Sequence, residues 1–282
     1  MTFSVVIITF NEEANLSRTL DSVKPLVAEG IGEIIVVDSG SCDRTVEIAK
    51  SFGAKVFVEE WKGYAAQKNS AIDKAAGDWI LSLDADEEVD PNLIDVLTRQ
   101  AEDSLPGSGS REWCLTMGQT GRAQEVLKGI PVGFLIRRKN YFLGRWIKHG
   151  GFWPDPKLRF FRRASGRFED RMVHEDIRIE GTTRIIQQGA LLHHSYPTLS
   201  DYIDHMNRYS SLGAETVAAK QNGKVRFSVI NVVLRPLATF IYNYLFRLGF
   251  LDGREGLLLH LYHAVYVSWK YAKAWETSRK QP

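Results

Sequence analysis

The sequence predicts an α/β protein with a mainly parallel sheet, helices on both faces and a C-terminal helical extension. Three observations carry that expectation. Apolar, β-branched runs of strand length alternate with helix-spaced segments over the first hundred residues. Those runs are apolar at consecutive positions, as strands covered on both faces are. The last stretch, 225–276, loses the strand signature and becomes apolar, aromatic and basic.

In chain order, FSVVIITF (3–10) is the first strand and EANLSRTLDSV (13–23) has helical spacing. EIIVVD (33–38) is the second strand, and DRTVEIAKSFG (43–53) is a helix stopped by glycine. AKVFVEE (54–60) is the third strand, GYAAQKNSAIDKAAG (63–77) a helix, and WILSLD (79–84) the fourth strand. DPNLIDVLTRQAE (90–102) opens on Asp-Pro, a good helix start. Strands that alternate with helices are joined by right-handed crossovers, which gives parallel pairing. EDSLPGSGSRE (102–112) reads as a loop and a boundary, with the first domain continuing to residue 223. Beyond the loop, GFLIRRKNYF (133–142) and LRFFRR (158–163) read as strands of a mixed extension. SDYIDHMNRYSSLGAETVAAKQNG (200–223) reads as a helix capped by Ser200, with Tyr202, Met206, Tyr209 and Leu212 on one face.

A net charge of +2 over 282 residues hides an asymmetry. Residues 1–110 hold 9 Lys and Arg against 20 Asp and Glu, whereas residues 111–282 hold 27 against 14. An acidic half suits a cation, and a basic half suits phosphates or an anionic membrane surface. Cys42 and Cys114 match no metal spacing, and two isolated thiols point to a reducing compartment. The start MTFSVVIITFNEE lacks the basic region and cleavage site of a signal peptide.

Ligands of open parallel sheets bind outside the carboxyl ends of the strands. Three polar clusters fall there: Thr9-Asn11-Glu12, Asp38-Ser39-Gly40-Ser41, and Asp84-Ala85-Asp86. The last begins DADEE, four carboxylates in five residues, which repel unless a metal ion, basic side chains or water intervene. Asp84 and Asp86 alternate in an extended segment, so both can face one side, where two hard oxygen donors suit Mg²⁺ or Mn²⁺ beside a phosphate. Glu87 and Glu88 are expected to be solvated. Val89 at the sixth loop position excludes an EF-hand, and the glycine-free turn TFNEEANL excludes a Gly-rich dinucleotide loop.

The blocks VIITFNEEANLSRTL, VVDSGSCDRTVEIA, GYAAQKNSAI and WILSLDADEEV, in that order, resemble glycosyltransferase family 2, of the GT-A fold. The resemblance implies a nucleotide-sugar donor, a divalent metal and inversion at the anomeric carbon. It implies that 1–101 is a nucleotide-binding half and 112–223 an acceptor half. It places Thr9, Asn11 and Glu12 at the nucleotide, Asp38 near the base, Lys68 at the donor, Asp84 near the ribose and Asp86 on the metal. Inverting transfer needs a carboxylate to take the acceptor's proton. RMVHEDIRIEG (171–181) supplies Glu175 and Asp176; by resemblance Glu175 is the favoured base and Asp176 the alternative. His193, in GALLHHSYPTLSDY, occupies the family's place for a histidine near the metal or diphosphate.

LGRWIKHGGFWPDPKLRFFRR (143–163) interleaves aromatic and basic residues, and 122–171 hold 13 Lys and Arg against 4 Asp and Glu. Rings stack on sugars and Arg forks bind phosphate, so Trp146, Lys148, Trp153, Arg159 and Arg162 are candidate acceptor residues. No nucleic-acid motif is present, so nucleic acid is not an expected partner. With RMVHED and LLHHSY, this segment resembles lipopolysaccharide core glucosyltransferases that add glucose to inner-core heptose. That resemblance implies a UDP-sugar donor, a phosphorylated glycolipid acceptor and work at the cytoplasmic face of the inner membrane. A polyprenyl phosphate acceptor is the rival within enzymes. A non-catalytic nucleotide-sugar-binding assembly protein is the rival outside them.

The longest run within 225–276 free of Asp, Glu, Lys and Arg is 14 residues, short of the roughly 20 needed to cross a bilayer. Helices lying in the interface of an anionic membrane are the expectation for 224–282. Packing on the catalytic domain or a homo-oligomer contact are the other uses of such a stretch.

Overall fold

The computed structural model describes residues 2–104, 130–169 and 176–280. The chain divides into two units: Met1–Arg138 with Pro156–His193, and Lys139–Asp155 with His194–Pro282. The division differs from the sequence expectation, which put boundaries at 102–112 and 223. Residues 139–155 and the helix after 198 share a core with the C-terminal helix, through Phe142, Ile147, Tyr202 and Leu259. That shared core assigns them to the second unit.

The first unit is the expected α/β sheet. β1 (Phe3–Thr9), β2 (Gly32–Asp38), β3 (Lys55–Val58) and β4 (Trp79–Asp84) pair in parallel in the order β3-β2-β1-β4. β1, β2 and β4 are buried at nearly every position, which their unbroken apolar runs require. α1 (Leu16–Val27) follows β1, α2 (Thr45–Ser51) follows β2 and α3 (Tyr64–Lys74) follows β3. After β4 come β5 (Glu87–Val89) and α4 (Pro91–Asp103), whose Asp90 cap accepts from the Asn92 N–H at 3.0 Å. The predicted strand 133–142 is two strands, β6 (Pro131–Ile136) and β7 (Arg138–Phe142). β8 (Arg145–Trp146) then forms a hairpin with β7, in the second unit. β9 (Lys157–Arg162) lies antiparallel between β4 and β6, and the sheet ends on a later strand, β12 (Thr182–Ile185), parallel to β6. Between them β10 (Gly166–Glu169) and β11 (Asp176–Ile179) pair antiparallel.

Helices cover both faces. Leu16, Leu20 and Val23 of α1 and Leu93 and Leu97 of α4 pack on one face, against Val5, Ile7, Leu81 and Phe160. Ala71 and Ile72 of α3, with Phe168 and Ile177 of β10 and β11, pack on the other, against Val6, Val37 and Ile80. The first half of β13 (Leu191–Tyr196) pairs antiparallel with β5, His193 opposite Glu87.

The second unit is mostly helical. α5 (Leu199–Lys220) is capped by Thr198, not by the expected Ser200. Thr198 Oγ1 accepts from the Asp201 N–H and the Asp201 carboxylate accepts from the Thr198 N–H at 3.1 Å, a capping box that Ser200, two residues on and already inside the helix, does not make. Tyr202 and Met206 face the core as expected, but Leu212 is exposed. A helix runs on from Val229 through a wide turn, α6 (Arg235–Ile241), and a second wide turn to Phe246. It is followed by α7 (Gly253–Lys280), whose Ser268 donates to the Val232 carbonyl of the preceding helix at 2.8 Å. The turn Ile147–Gly151 is seated on this pair: Gly150 has φ +66°, and a Cβ there would come 2.0 Å from His260 Cε1.

Candidate active site

Strand register assembles the site. Thr9 pairs with Asp38, and Ile8 pairs with Asp84, so the three polar strand ends lie side by side at the carboxyl edge of the parallel sheet. Asp38 is fully buried and uses both oxygens. It accepts from Thr9 Oγ1 at 2.8 Å, from Ser41 Oγ, and from the N–H groups of Gly40 and Ser41 at 2.9 and 2.8 Å. Thr9 thus serves the strand end by fixing Asp38. Asn11, at φ +54°, ties the first turn to the second: Ser41 Oγ accepts its N–H at 2.8 Å, and its Oδ1 accepts the Cys42 N–H at 2.9 Å. Glu12 is half-buried, and burial first, then Asp86, Asp43 and Asp84, push its carboxyl up.

The acidic cluster finds its counter-charges within the protein. Lys68, in α3, is buried with Nζ 2.9 Å from Asp84 Oδ1, rather than exposed on its helix. Arg159, in β9, is also buried and donates to Asp84 and, at 2.9 Å, to Glu87. Burial alone would raise the Asp84 carboxyl; Arg159 and Lys68 hold it well below the usual carboxylate range. Two assignments change here. Glu87 is not solvated: it is 0 % exposed, bound by Arg159 and by Arg138 at 3.2 Å, and it accepts the Asp84 N–H at 3.1 Å. Arg159 is not part of an open acceptor patch but a buried partner of the DADEE motif. Glu88 is partly exposed and pairs with Arg18 at 3.7 Å.

Asp84 therefore already faces two cations, and the expected pair of metal-facing carboxylates narrows to Asp86. Asp86 lies 3.3 Å from His193 Nε2. Burial works to raise its carboxyl, and the His193 contact brings it down. One carboxylate oxygen and one imidazole nitrogen form a donor pair that fits a divalent ion sharing its coordination with a diphosphate and water. Among the described residues no three His, Cys, Asp or Glu side chains gather as a metal cage, so this donor set does not suit an ion held by the protein alone. Gln67, missed in the sequence, is fully buried beside Ser39; its Nε2 lies 3.3 Å from Ser39 Oγ, and its Oε1 has no partner among the described residues.

The remaining candidates fall elsewhere. Arg162 pairs with Trp79 at the opposite end of β4, with its guanidinium 5.4 Å from that buried ring and a bond to the Ser104 carbonyl. It belongs to the far edge of the sheet, a correction to its place among acceptor residues. Trp146, Lys148 and Trp153 group together in the second unit: Lys148 Nζ is 4.5 Å from the Trp146 ring, which meets Trp153 edge-on at 5.3 Å. Glu175 lies outside the described residues. Asp176 begins β11, its backbone opposite Glu169, and its side chain is outside the described set. β10 approaches the site through Phe168, whose ring is 5.2 Å from Lys68 Nζ.

The sheet, the polar strand ends and the acidic motif together define an α/β fold with a polar site at the carboxyl edge of its parallel strands. The family model for glycosyl transferase family 2 matches residues 4–165, more than half the chain, and the chain belongs to that family. A lipopolysaccharide core biosynthesis glycosyltransferase, LpsC of Rhizobium meliloti, is 29% identical over 97% of this chain and 92% of its own. The glycosyltransferase RP128 of Rickettsia prowazekii, described as uncharacterized, is 47% identical over 90% of this chain and 80% of its own. Among solved structures, S. aureus TarS 1–349 in complex with UDP aligns over all of this chain and 92% of that one, at 16% identity and a TM-score of 0.47.

Proposed function

We propose that this glycosyltransferase moves a hexose, glucose by its resemblance, from a UDP-sugar to a heptose of the lipopolysaccharide inner core, with inversion and with a divalent metal. The observation that carries the reading is the registered strand edge, where Thr9, Asp38 and Asp84 come together on adjacent strand ends and Asp86 follows in the next turn. Similarity to LpsC along nearly the whole chain supports the lipopolysaccharide acceptor.

Asp38, with both oxygens fixed, and Gln67 Oε1 form the polar wall for the nucleoside. Lys68, whose Nζ lies 2.9 Å from Oδ1 of the half-buried Asp84, is the cation assigned to the diphosphate. Arg159 and Glu87 keep Asp84 in place from below. Asp86 and His193 would hold the metal. When bound, a divalent ion stabilises the charge of the departing diphosphate. Glu175 removes the proton of the acceptor hydroxyl as it attacks, with Asp176 the alternative base.

The test is UDP release by the purified full chain from UDP-glucose with Mn²⁺ and a purified inner-core acceptor, together with the anomeric configuration of the product. Release that depends on acceptor, with inverted configuration, is expected. A lipid-linked sugar formed only with polyprenyl phosphate would reassign the acceptor. No release with any acceptor, despite UDP binding, would make the chain a binding protein.

A further inference from the structure

We propose that the helix from Val229 to Phe246, with the turn after it, is a lipid-contact surface that seats the second unit flat on an anionic bilayer. The apolar side chains of this segment are not buried. Val229, Ile230, Val233, Leu234, Leu237, Ile241, Tyr242, Leu245 and Phe246 are 37–74 % exposed, and Leu248, Phe250 and Leu251 continue the patch around the turn. Their steps of three and four residues place them along one face, while the other side meets α7 through Ser268 and Tyr271. A continuous apolar face of this length is far beyond the scattered exposed side chains of an ordinary surface.

Charge selects the occupant. Residues 224–251 contain Lys224, Arg226, Arg235 and Arg247 and no Asp or Glu. All four are exposed. At the start of the helix, a cavity of about 260 Å³ is lined by Lys224, Arg226, Asn231 and Tyr271, a polar, cationic recess suited to a phosphate headgroup. At its other end, Arg247 is joined by the loop carrying Lys148, which is tied to the turn: the Arg247 carbonyl accepts the Gly150 N–H at 2.9 Å, and Asp252 accepts the His149 N–H at 2.8 Å, while Arg145 of the same loop pairs with Glu255 at 3.6 Å. The apolar face is thus bracketed by cations at both ends. A second copy across a twofold axis would set these cations against their own kind, whereas lipid phosphates neutralise them. No described helix is long and apolar enough to cross a membrane, so the contact is with one leaflet.

Flotation of the full chain with vesicles of phosphatidylcholine, with and without about one third phosphatidylglycerol, tests this, with thermal midpoints confirming that each variant is folded. The wild-type chain should float with anionic vesicles, more weakly with neutral ones, and be released only in part by 1 M salt, where screening shortens to about 3 Å. Leu237→Asp with Phe246→Asp, both at well-exposed positions, should lower the partition by roughly tenfold or more. Lys224→Glu with Arg226→Glu should remove the preference for anionic lipid and leave the apolar binding. Failure of the wild type to float with anionic vesicles would overturn the proposal, as would unchanged flotation of the aspartate variant. A dimer in light scattering that the aspartate variant converts to monomer, with no vesicle binding, would assign the face to a second copy and also overturn it.

Discussion

Arg159→Met is the most informative single change in the buried charge network. Arg159 is about 7 % exposed and bonds both Asp84 and the fully buried Glu87. Removing one partner of a buried ion pair costs about 3–5 kcal/mol, because the charges left behind lack compensation. Here neither carboxylate is stranded: Asp84 keeps Lys68 at 2.9 Å and Glu87 keeps Arg138 at 3.2 Å. The loss should therefore fall near the lower end, about 3 kcal/mol. For a chain of this size, that is a fall in Tm of about 6–12 °C. Adding Glu87→Gln removes one of the two carboxylates and should restore part of the loss, giving a coupling energy above about 1 kcal/mol in the double-mutant cycle. Thermal and urea unfolding by circular dichroism supply the four stabilities. A Tm for Arg159→Met within about 2 °C of wild type would refute the reasoning, and so would additive effects of the two changes.

Other outcomes follow from the same geometry. Glu175→Gln should leave donor affinity unchanged and cut transfer by at least about a hundredfold, with Asp176→Asn milder; the reverse order in steady-state kinetics would make Asp176 the base. Thr9→Val removes a buried hydroxyl donor to Asp38 and should cost about 2 kcal/mol in urea unfolding; an unchanged midpoint would show that Ser41 and the Gly40 amide suffice. His260 is held neutral, pushed down to about 4 by burial between Gly150 and Gly249, so unfolding takes up a proton from there to its ordinary value near 6.5. Stability should fall as pH drops through that window, by up to about 1.4 kcal/mol per pH unit. His260→Leu should therefore lose less Tm than wild type between pH 7 and 5, and equal losses would contradict the assignment.

Much of the first unit was legible because its signals are local. A strand buried on both faces needs an unbroken apolar run, and β1, β2 and β4 have one. The polar residues that end those runs were bound to meet once the strands paired in parallel. The partners of the cluster were not legible, since Arg159 and Arg138 are brought to Glu87 by strand pairing across more than fifty residues. From composition alone an arginine in a basic aromatic segment reads as exposed, and nothing local separates Arg159, turned to the ligand end, from Arg162, three residues on at the other end of β4. Glu87 was misread because a run of acids reads as solvated throughout, yet adjacent Glu87 and Glu88 alternate in direction along β5, so one is buried against distant arginines and one reaches solvent. The helix cap was missed although Thr198-Leu199-Ser200-Asp201 has the spacing of a capping box, which competes with the nearer Ser200 as a single cap.

The central claim is that the strand end at Asp86 binds a nucleotide diphosphate together with a divalent ion. Calorimetric titration of UDP into the full chain, with and without Mn²⁺, tests it most directly when repeated on Asp86→Ala. Wild-type binding should strengthen markedly with Mn²⁺, and the variant should lose that gain while staying folded, since Asp86→Ala gives up the His193 contact but also relieves desolvation and repulsion with Asp84. Metal-independent UDP binding by the wild type, or an undiminished Mn²⁺ effect in Asp86→Ala, would contradict it.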